Sequence, residues 1–244
     1  MMEWQGKRYW LVGASEGLGA ALAHKLSTAG AEVIVSARNA ERLKEVADGL
    51  PGKARVVTVD VSDRDSVIKA AAEVGEIDGV VYLAGVYWPM PATEWDTEAA
   101  EAMADINFTG AVRVMGQCVP AMVARDAGHV VMTGSLSAFR GLPGAIGYAA
   151  SKAGTMALAE SMHCDLRKTG VRVQLANPGF IKTRLTDKNK FNMPFLMTPE
   201  QAAQEMFELM CDEGAFARHF PRLFSLVFRL SRFLPNWAYY RIFS

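Results

Sequence analysis

The chain is 244 residues long, half of them apolar and 21% charged, and its 26 Lys and Arg balance 26 Asp and Glu to leave no net charge. That length suits one large α/β domain or two small ones, and the apolar half excludes disorder of the chain as a whole. The neutral balance argues against a nucleic-acid binder, the scattered Cys118, Cys164 and Cys211 argue against a disulfide framework or zinc site, and no run is apolar enough to span a bilayer.

Met1 to Lys7 lack the apolar core of a secretory signal, so the expected location is the cytoplasm. Short β-branched runs then alternate with helix-periodic stretches. Strands are predicted at residues 8–13, 32–37, 55–60, 79–83, 129–133 and 171–176. Helices are predicted near 17–29, 40–49, 63–74, 97–125, 148–168 and 199–211, where apolar residues recur every three or four positions. Such alternation implies right-handed crossovers, hence a doubly wound parallel sheet with helices on both faces. No repeat or Gly/Ser linker divides the chain, so a single Rossmann-type domain is expected. Its body is residues 1–213, and 214–244 form a helical extension of the same domain.

The first strand-to-helix junction reads Gly13-Ala14-Ser15-Glu16-Gly17-Leu18-Gly19. Glycines there let the backbone turn sharply and approach a pyrophosphate, which meets the N–H groups of the next helix. The second strand ends in Ala37-Arg38-Asn39. An acidic residue at Ala37 would select NAD through its ribose hydroxyls, whereas the Arg38 fork suits the extra phosphate of NADP. NAD is kept as the alternative. Ser135 ends the fifth strand, where open α/β sheets place ligands, and Tyr148 and Lys152 stand four residues apart on one helix face. A cation beside a phenol favours the phenolate, which is the condition for acid–base work nearer neutral pH.

Residues 180–198 form a long connection without periodicity, of the length typical of a functional lid. Phe191, Met193, Pro194, Phe195, Leu196 and Met197 give it an adaptable apolar character, with polarity from Lys188 and Lys190. From Gly214 onward the chain has five arginines and no acid, so an overall charge of zero hides a −5 body and a +5 tail. Arg222, Ser225, Arg229 and Arg232 recur at helical spacing, apolar residues fill the rest, and Trp237, Tyr239, Tyr240 and Phe243 follow Pro235. Two expectations follow for 219–244: a subunit interface or pocket cover, or a basic amphipathic surface lying on an anionic membrane.

These motifs together resemble the short-chain dehydrogenase/reductase family, in its shorter "classical" form, from about residue 8 to 213. Gly13, Gly17 and Gly19 match its TGxxxGxG loop, with Val12 where Thr is usual, and Ser135 precedes the YxxxK pair Tyr148/Lys152 by the family's thirteen residues. Asn107 matches the helix asparagine, Asp60-Val61 the pair after the third strand, and Asn177-Pro178-Gly179 with Ile181 and Thr183 the PG motif. The NNAG motif is reduced to Ala84-Gly85, and the tail lacks the glycine-rich ending of β-ketoacyl-carrier-protein reductases.

The resemblance implies an NAD(P)-dependent oxidoreductase that interconverts a carbonyl and an alcohol on a lipophilic small molecule. Tyr148 would be the acid/base, Ser135 would bind the substrate oxygen, and Lys152 would lower the Tyr148 pKa and hold the nicotinamide ribose. Asn107 would hold a water reaching Lys152. Cofactor contacts would come from Gly13, Ser15, Glu16, Gly17, Leu18, Gly19, Arg38, Asp60, Val61, Ala84, Gly85, Tyr148, Lys152, Pro178, Gly179, Ile181 and Thr183, with no metal. A homo-oligomer is implied too. The alternative is a catalytically idle dinucleotide-binding or regulatory module, against which the complete Ser135/Tyr148/Lys152/Asn107 set argues.

Overall fold

Strand β1 (Arg8–Val12) already sets the layers, because side chains alternate across a pleated strand. Tyr9 and Leu11 enter one core and Trp10 and Val12 the other, all four fully buried. The computed structural model describes residues 3–188 and 192–243. It contains β2 (Glu32–Ser36), β3 (Ala54–Val56), β4 (Gly79–Tyr82), β5 (Gly128–Thr133), β6 (Val171–Pro178) and β7 (Ala217–Phe220). All neighbours pair in parallel, in the order β3-β2-β1-β4-β5-β6-β7.

Helices α1 (Gly17–Thr28), α2 (Ala40–Asp48) and α7 (Pro199–Cys211) cover one face, inserting Leu22, Leu26, Leu43, Met206 and Leu209. Helices α3 (Arg64–Val74), α5 (Gly110–Ala124) and α6 (Ile146–Leu166) cover the other with Val67, Val74, Val114, Met122 and Met156. Both sheet faces are thereby dry, as a parallel sheet requires.

After β1 the chain moves outward to β2 and β3, then returns to place β4 on the other side of β1. Such a reversal opens a crevice beyond the carboxyl ends of the two central strands. The backbones leaving β1 and β4 nearly touch there. A Cβ on Gly13 would lie 2.4 Å from the Ala84 nitrogen, and Gly13 has φ +98°.

Three features depart from the sequence expectations. The sheet has a seventh strand, β7, which pairs Leu175 to Pro178 of β6 with Ala217 to Phe220 of the tail. The predicted helix at 97–125 is α4 (Thr97–Ala104) and α5 joined by a single π-helical turn, Asp105–Thr109, which carries Asn107. One extra residue per turn swings that side chain out of helical register, a common device at functional sites. The tail after β7 is two helices, α8 (Arg222–Ser231) and α9 (Asn236–Phe243), and buried Ser225 does not share a solvent-facing stripe with the exposed Arg222, Arg229 and Arg232.

The tight crossing predicts a specific sensitivity. Gly13→Ala combines positive-φ strain with backbone overlap and should cost at least about 2 kcal/mol. Gly75→Ala, at φ +71° with nothing within 4 Å, should cost only the strain. Urea unfolding of the two variants decides it, and equal losses would contradict the crossing's importance.

Candidate active site

A cleft of about 1100 Å³ occupies the carboxyl end of the sheet. Every predicted site residue lines it except Asn107, which is fully buried behind it. Helix α1 opens onto the cleft with a bare N-terminus: Glu16 at the N-cap makes no side-chain capping bond, and its first turn holds no acid. Uncapped N–H groups at the positive end of a helix form an anion site. Gly17 has φ +53°, and a Cβ on Gly19 would lie 2.3 Å from the Gly13 carbonyl oxygen, so the loop folds back closely on its helix. A dinucleotide pyrophosphate fits this cradle.

Arg38 lies exposed beyond β2, and Arg42 follows in the first turn of α2, whose start is fixed by Asn39 accepting from Arg42 N at 2.9 Å. Asp60 accepts from the backbone and hydroxyl of Ser62 at 3.0 and 2.6 Å. Burial opposes its ionisation, but these bonds and the Arg38 and Arg113 guanidiniums hold its carboxyl below the ordinary range. Glu16 turns away from its own helix. It pairs with Arg184 of the β6–α7 connection at 2.6 Å and with Arg42 at 3.5 Å.

Asn107 spends both ends of its amide on the wall behind the cleft. Its Oδ1 accepts from Val86 N at 2.7 Å, and its Nδ2 donates to Val86 O and to Ser151 Oγ, each at 3.0 Å. The loop from Ala84 to Val86 is thereby fixed, with Gly85 between Asn107 and Lys152; a Cβ there would sit 3.3 Å from Oδ1 and 3.7 Å from Nζ. Lys152 is buried and donates to the Thr133 carbonyl at 2.8 Å. Burial lowers its pKa from 10.5 to about 8.

Ser135 caps the short turn Leu136–Ala138, and its Oγ lies 2.9 Å from that of Ser137. Tyr148 enters from the first turn of α6 with Tyr87 edge-on at 5.0 Å between ring centroids. The sequence reading has Lys152 lowering the Tyr148 pKa; instead burial pushes it up, with the Ser135 hydroxyl opposing. The physical reason is exclusion of water, with Nζ engaged at the Thr133 carbonyl.

The cleft's apolar wall comes from several segments. Phe195 and Leu196 are exposed and do not line the cleft, whereas Phe180, Leu185, Leu142 and, from α8, Phe224 and Phe228 do. Phe195 stacks on Phe224 at 5.5 Å. Lys190 and Phe191 fall outside the described residues. Lys188 does line the cleft, donating to Tyr87 O at 2.8 Å with its ammonium over the Trp88 ring. Sequence reasoning misses Arg42 and Tyr87 as lining residues, with the proximity of Arg42 to Arg38 in the chain as the one signal, whereas Phe224 and Phe228 bear out the expectation that 219–244 covers the pocket.

The family model described as short chain dehydrogenase matches residues 7–193. An oxidoreductase of Myxococcus xanthus is 37% identical, the match covering 97% of this chain and 96% of that protein. A 3-oxoacyl acyl-carrier-protein reductase of Thermotoga maritima is 30% identical, covering 88% and 94%. A short chain dehydrogenase from Burkholderia cenocepacia, solved in complex with NADP, superposes with a TM-score of 0.87 over 99% of both chains at 24% identity.

The buried ammonium has a measurable signature in the cofactor-free protein. Between about pH 8 and 10.5 the unfolded chain keeps a proton on Lys152 that the folded chain has released. The contribution of this group to unfolding free energy therefore rises with pH through that window. Urea unfolding of the wild type and Lys152→Met should show the wild type gaining on the variant there, and parallel curves would contradict it.

Proposed function

The chain belongs to the short chain dehydrogenase family, and from that premise we propose that it interconverts a carbonyl and an alcohol on a lipophilic small molecule, preferring NADP. The observation that carries the reading is the convergence of Ser135, Tyr148 and Lys152 in one cleft with the uncapped glycine loop. We read 1–213 as the body that carries the reacting residues and 214–244 as an extension of the same domain that adds β7 to the sheet and Phe224 and Phe228 to the cleft wall. The protein is read as cytoplasmic. Val112 and Val123, exposed on one face of α5, offer a surface for homo-oligomers.

A nicotinamide cofactor held along Gly13, Gly17, Gly19 and Lys152 would supply the hydride chemistry at the carbonyl or alcohol carbon. The chain's own residues handle the oxygen and its proton. Burial keeps the Tyr148 phenol protonated at neutral pH, the state needed to donate a proton to the substrate oxygen as it becomes a hydroxyl. In oxidation the phenol would first release its own proton to solvent, and the resulting phenolate oxygen would receive the alcohol proton. Ser135 Oγ, now shared with Ser137, rotates to donate to the substrate oxygen as negative charge develops there. Lys152 donates only one bond to Thr133, leaving its other hydrogens for the cofactor ribose. Asn107 acts as a positioning residue for the loop bearing Gly85.

The preference for NADP rests on Ala37, which leaves no carboxylate to meet a 2′-phosphate, and on Arg38 and Arg42 beside it. The lipophilic substrate rests on the wall of Phe180, Leu185, Leu142, Phe224 and Phe228.

Tyr148→Phe should lower kcat by about 10²–10⁴-fold while NADP still binds. Steady-state kinetics on ketones graded by chain length provide the measurement, and near-normal turnover would remove Tyr148 from its role. Arg38→Ala should weaken NADP by about 1–3 kcal/mol and leave NAD nearly unchanged. Titration of both cofactors against the fluorescence of the five tryptophans tests this, with equal losses as the contrary result.

A further inference from the structure

Helices α8 and α9 turn a second set of apolar side chains away from the body. In α8, Phe224 and Phe228 face the cleft and Ser225 and Ser231 are buried, their hydroxyls returned to their own helix at Arg222 O and Phe228 O. The opposite face holds Leu223, Leu226, Val227 and Leu230, all exposed, with Phe233 beyond the helix end at 85%. In α9, Tyr239 is buried and donates to Gly141 O at 2.6 Å, while Trp237, Tyr240 and Ile242 point outward, Trp237 at 74% exposure.

These outward faces are held in place. Arg140 donates to Ser231 O and Leu234 O, each at 2.8 Å, reaches Asn236 Oδ1 at 2.6 Å, and stacks on the Tyr239 ring. The segment's own charge has one sign. Residues 214–244 contain no Asp or Glu. Arg218 is paired with Glu205 and Glu208, but among the described residues Arg222, Arg229, Arg232 and Arg241 form no ion pair. Arg222 and Arg229, seven positions apart, border the Leu226 row of α8.

We propose that α8 and α9 dock the protein on an anionic lipid bilayer, with the outward apolar side chains in the headgroup–acyl boundary and Arg222, Arg229 and Arg241 on the lipid phosphates and carboxylates, while Arg232 stays over the Phe139 ring. Charge complementarity selects this occupant over a second copy of the chain. A two-fold pairing of these faces would set arginine against arginine with no carboxylate in the segment to answer it. Trp237 and Tyr240 have the amphipathic rings that concentrate at membrane interfaces. The contact is peripheral: no helix among the described residues is long and apolar enough to cross a membrane. The docking does not depend on the proposed reaction. It does place lipid on one face of the helix whose other face lines the cleft, so a lipid-dissolved substrate would have a short path in.

The test is co-sedimentation of the full chain with phosphatidylcholine vesicles, with and without phosphatidylserine, at low and high salt. Binding is expected only with phosphatidylserine, and it should fall as salt screens the arginines. Arg229→Ala/Arg241→Ala should weaken it at least about tenfold, since each basic residue near such a surface contributes about fivefold. Leu226→Glu/Leu230→Glu should abolish it, with cofactor titration confirming an intact body. As an independent readout that leaves the helices unaltered, the wild type's tryptophan emission should shift to the blue on adding phosphatidylserine vesicles, and Trp237→Phe should lose most of that shift. No binding at low salt, or equal binding to neutral vesicles, overturns the proposal. So does a tail that Leu226→Glu/Leu230→Glu converts from oligomer to monomer in sedimentation velocity while the wild type ignores vesicles, which would make the face an interface between copies.

Discussion

The site depends on two backbones passing almost in contact, at Gly13 after β1 and Ala84 after β4. Parallel pairing of β1 with β4 brings both chain directions to the same end of the sheet, and the reversal of strand order leaves the crevice between them. A side chain at position 13 would wedge the two loops apart. It would also displace Gly85, which sits between Asn107 and Lys152, and the start of α1, which Gly19 allows to fold over Gly13. The cofactor cradle and the basic wall are therefore one packing problem with a single narrow solution.

Electrostatics in the cleft follow from burial more than from pairing. Lys152 and Tyr148 are both driven toward their neutral forms, the amine downward and the phenol upward, because neither has an ionised partner close enough to repay the loss of water. The protein holds a neutral phenol ready and leaves the ammonium on a backbone carbonyl. Charge that arrives with a ligand would change both, since a desolvated cleft magnifies any new ion.

The sheet was legible wherever apolar residues alternate or run together, as in Tyr9 to Val12 and Val33 to Val35. Strand β7 was not: Ala217-Arg218-His219-Phe220 has no β-branched residue, lies at the sheet edge and buries only Phe220. The catalytic candidates were legible because Tyr148 and Lys152 share a helix face and Ser135 ends a strand, both local geometries. What escaped was set by tertiary contact. The π turn at Asn107 changes no residue type, and although the tail was expected to cover the pocket or an interface, which of its side chains face the cleft is set only once β7 fixes where α8 begins. The apolar loop residues at 193–197 left their direction open, because apolar character alone does not say which way a connection faces.

Glu16 joins three parts of the chain that are far apart in sequence: the first loop, Arg42 on α2 and Arg184 beyond β6. These pairs span the mouth of the cleft, and they are exposed, with Arg184 at 59%. Ion pairs so exposed contribute only about 0.2–1 kcal/mol each, so they act as a catch and not as a lock. A catch made of ions loosens as salt rises and tightens in dilute solution. The ties across this mouth thus answer to the surrounding medium, while the packed core behind them stays indifferent.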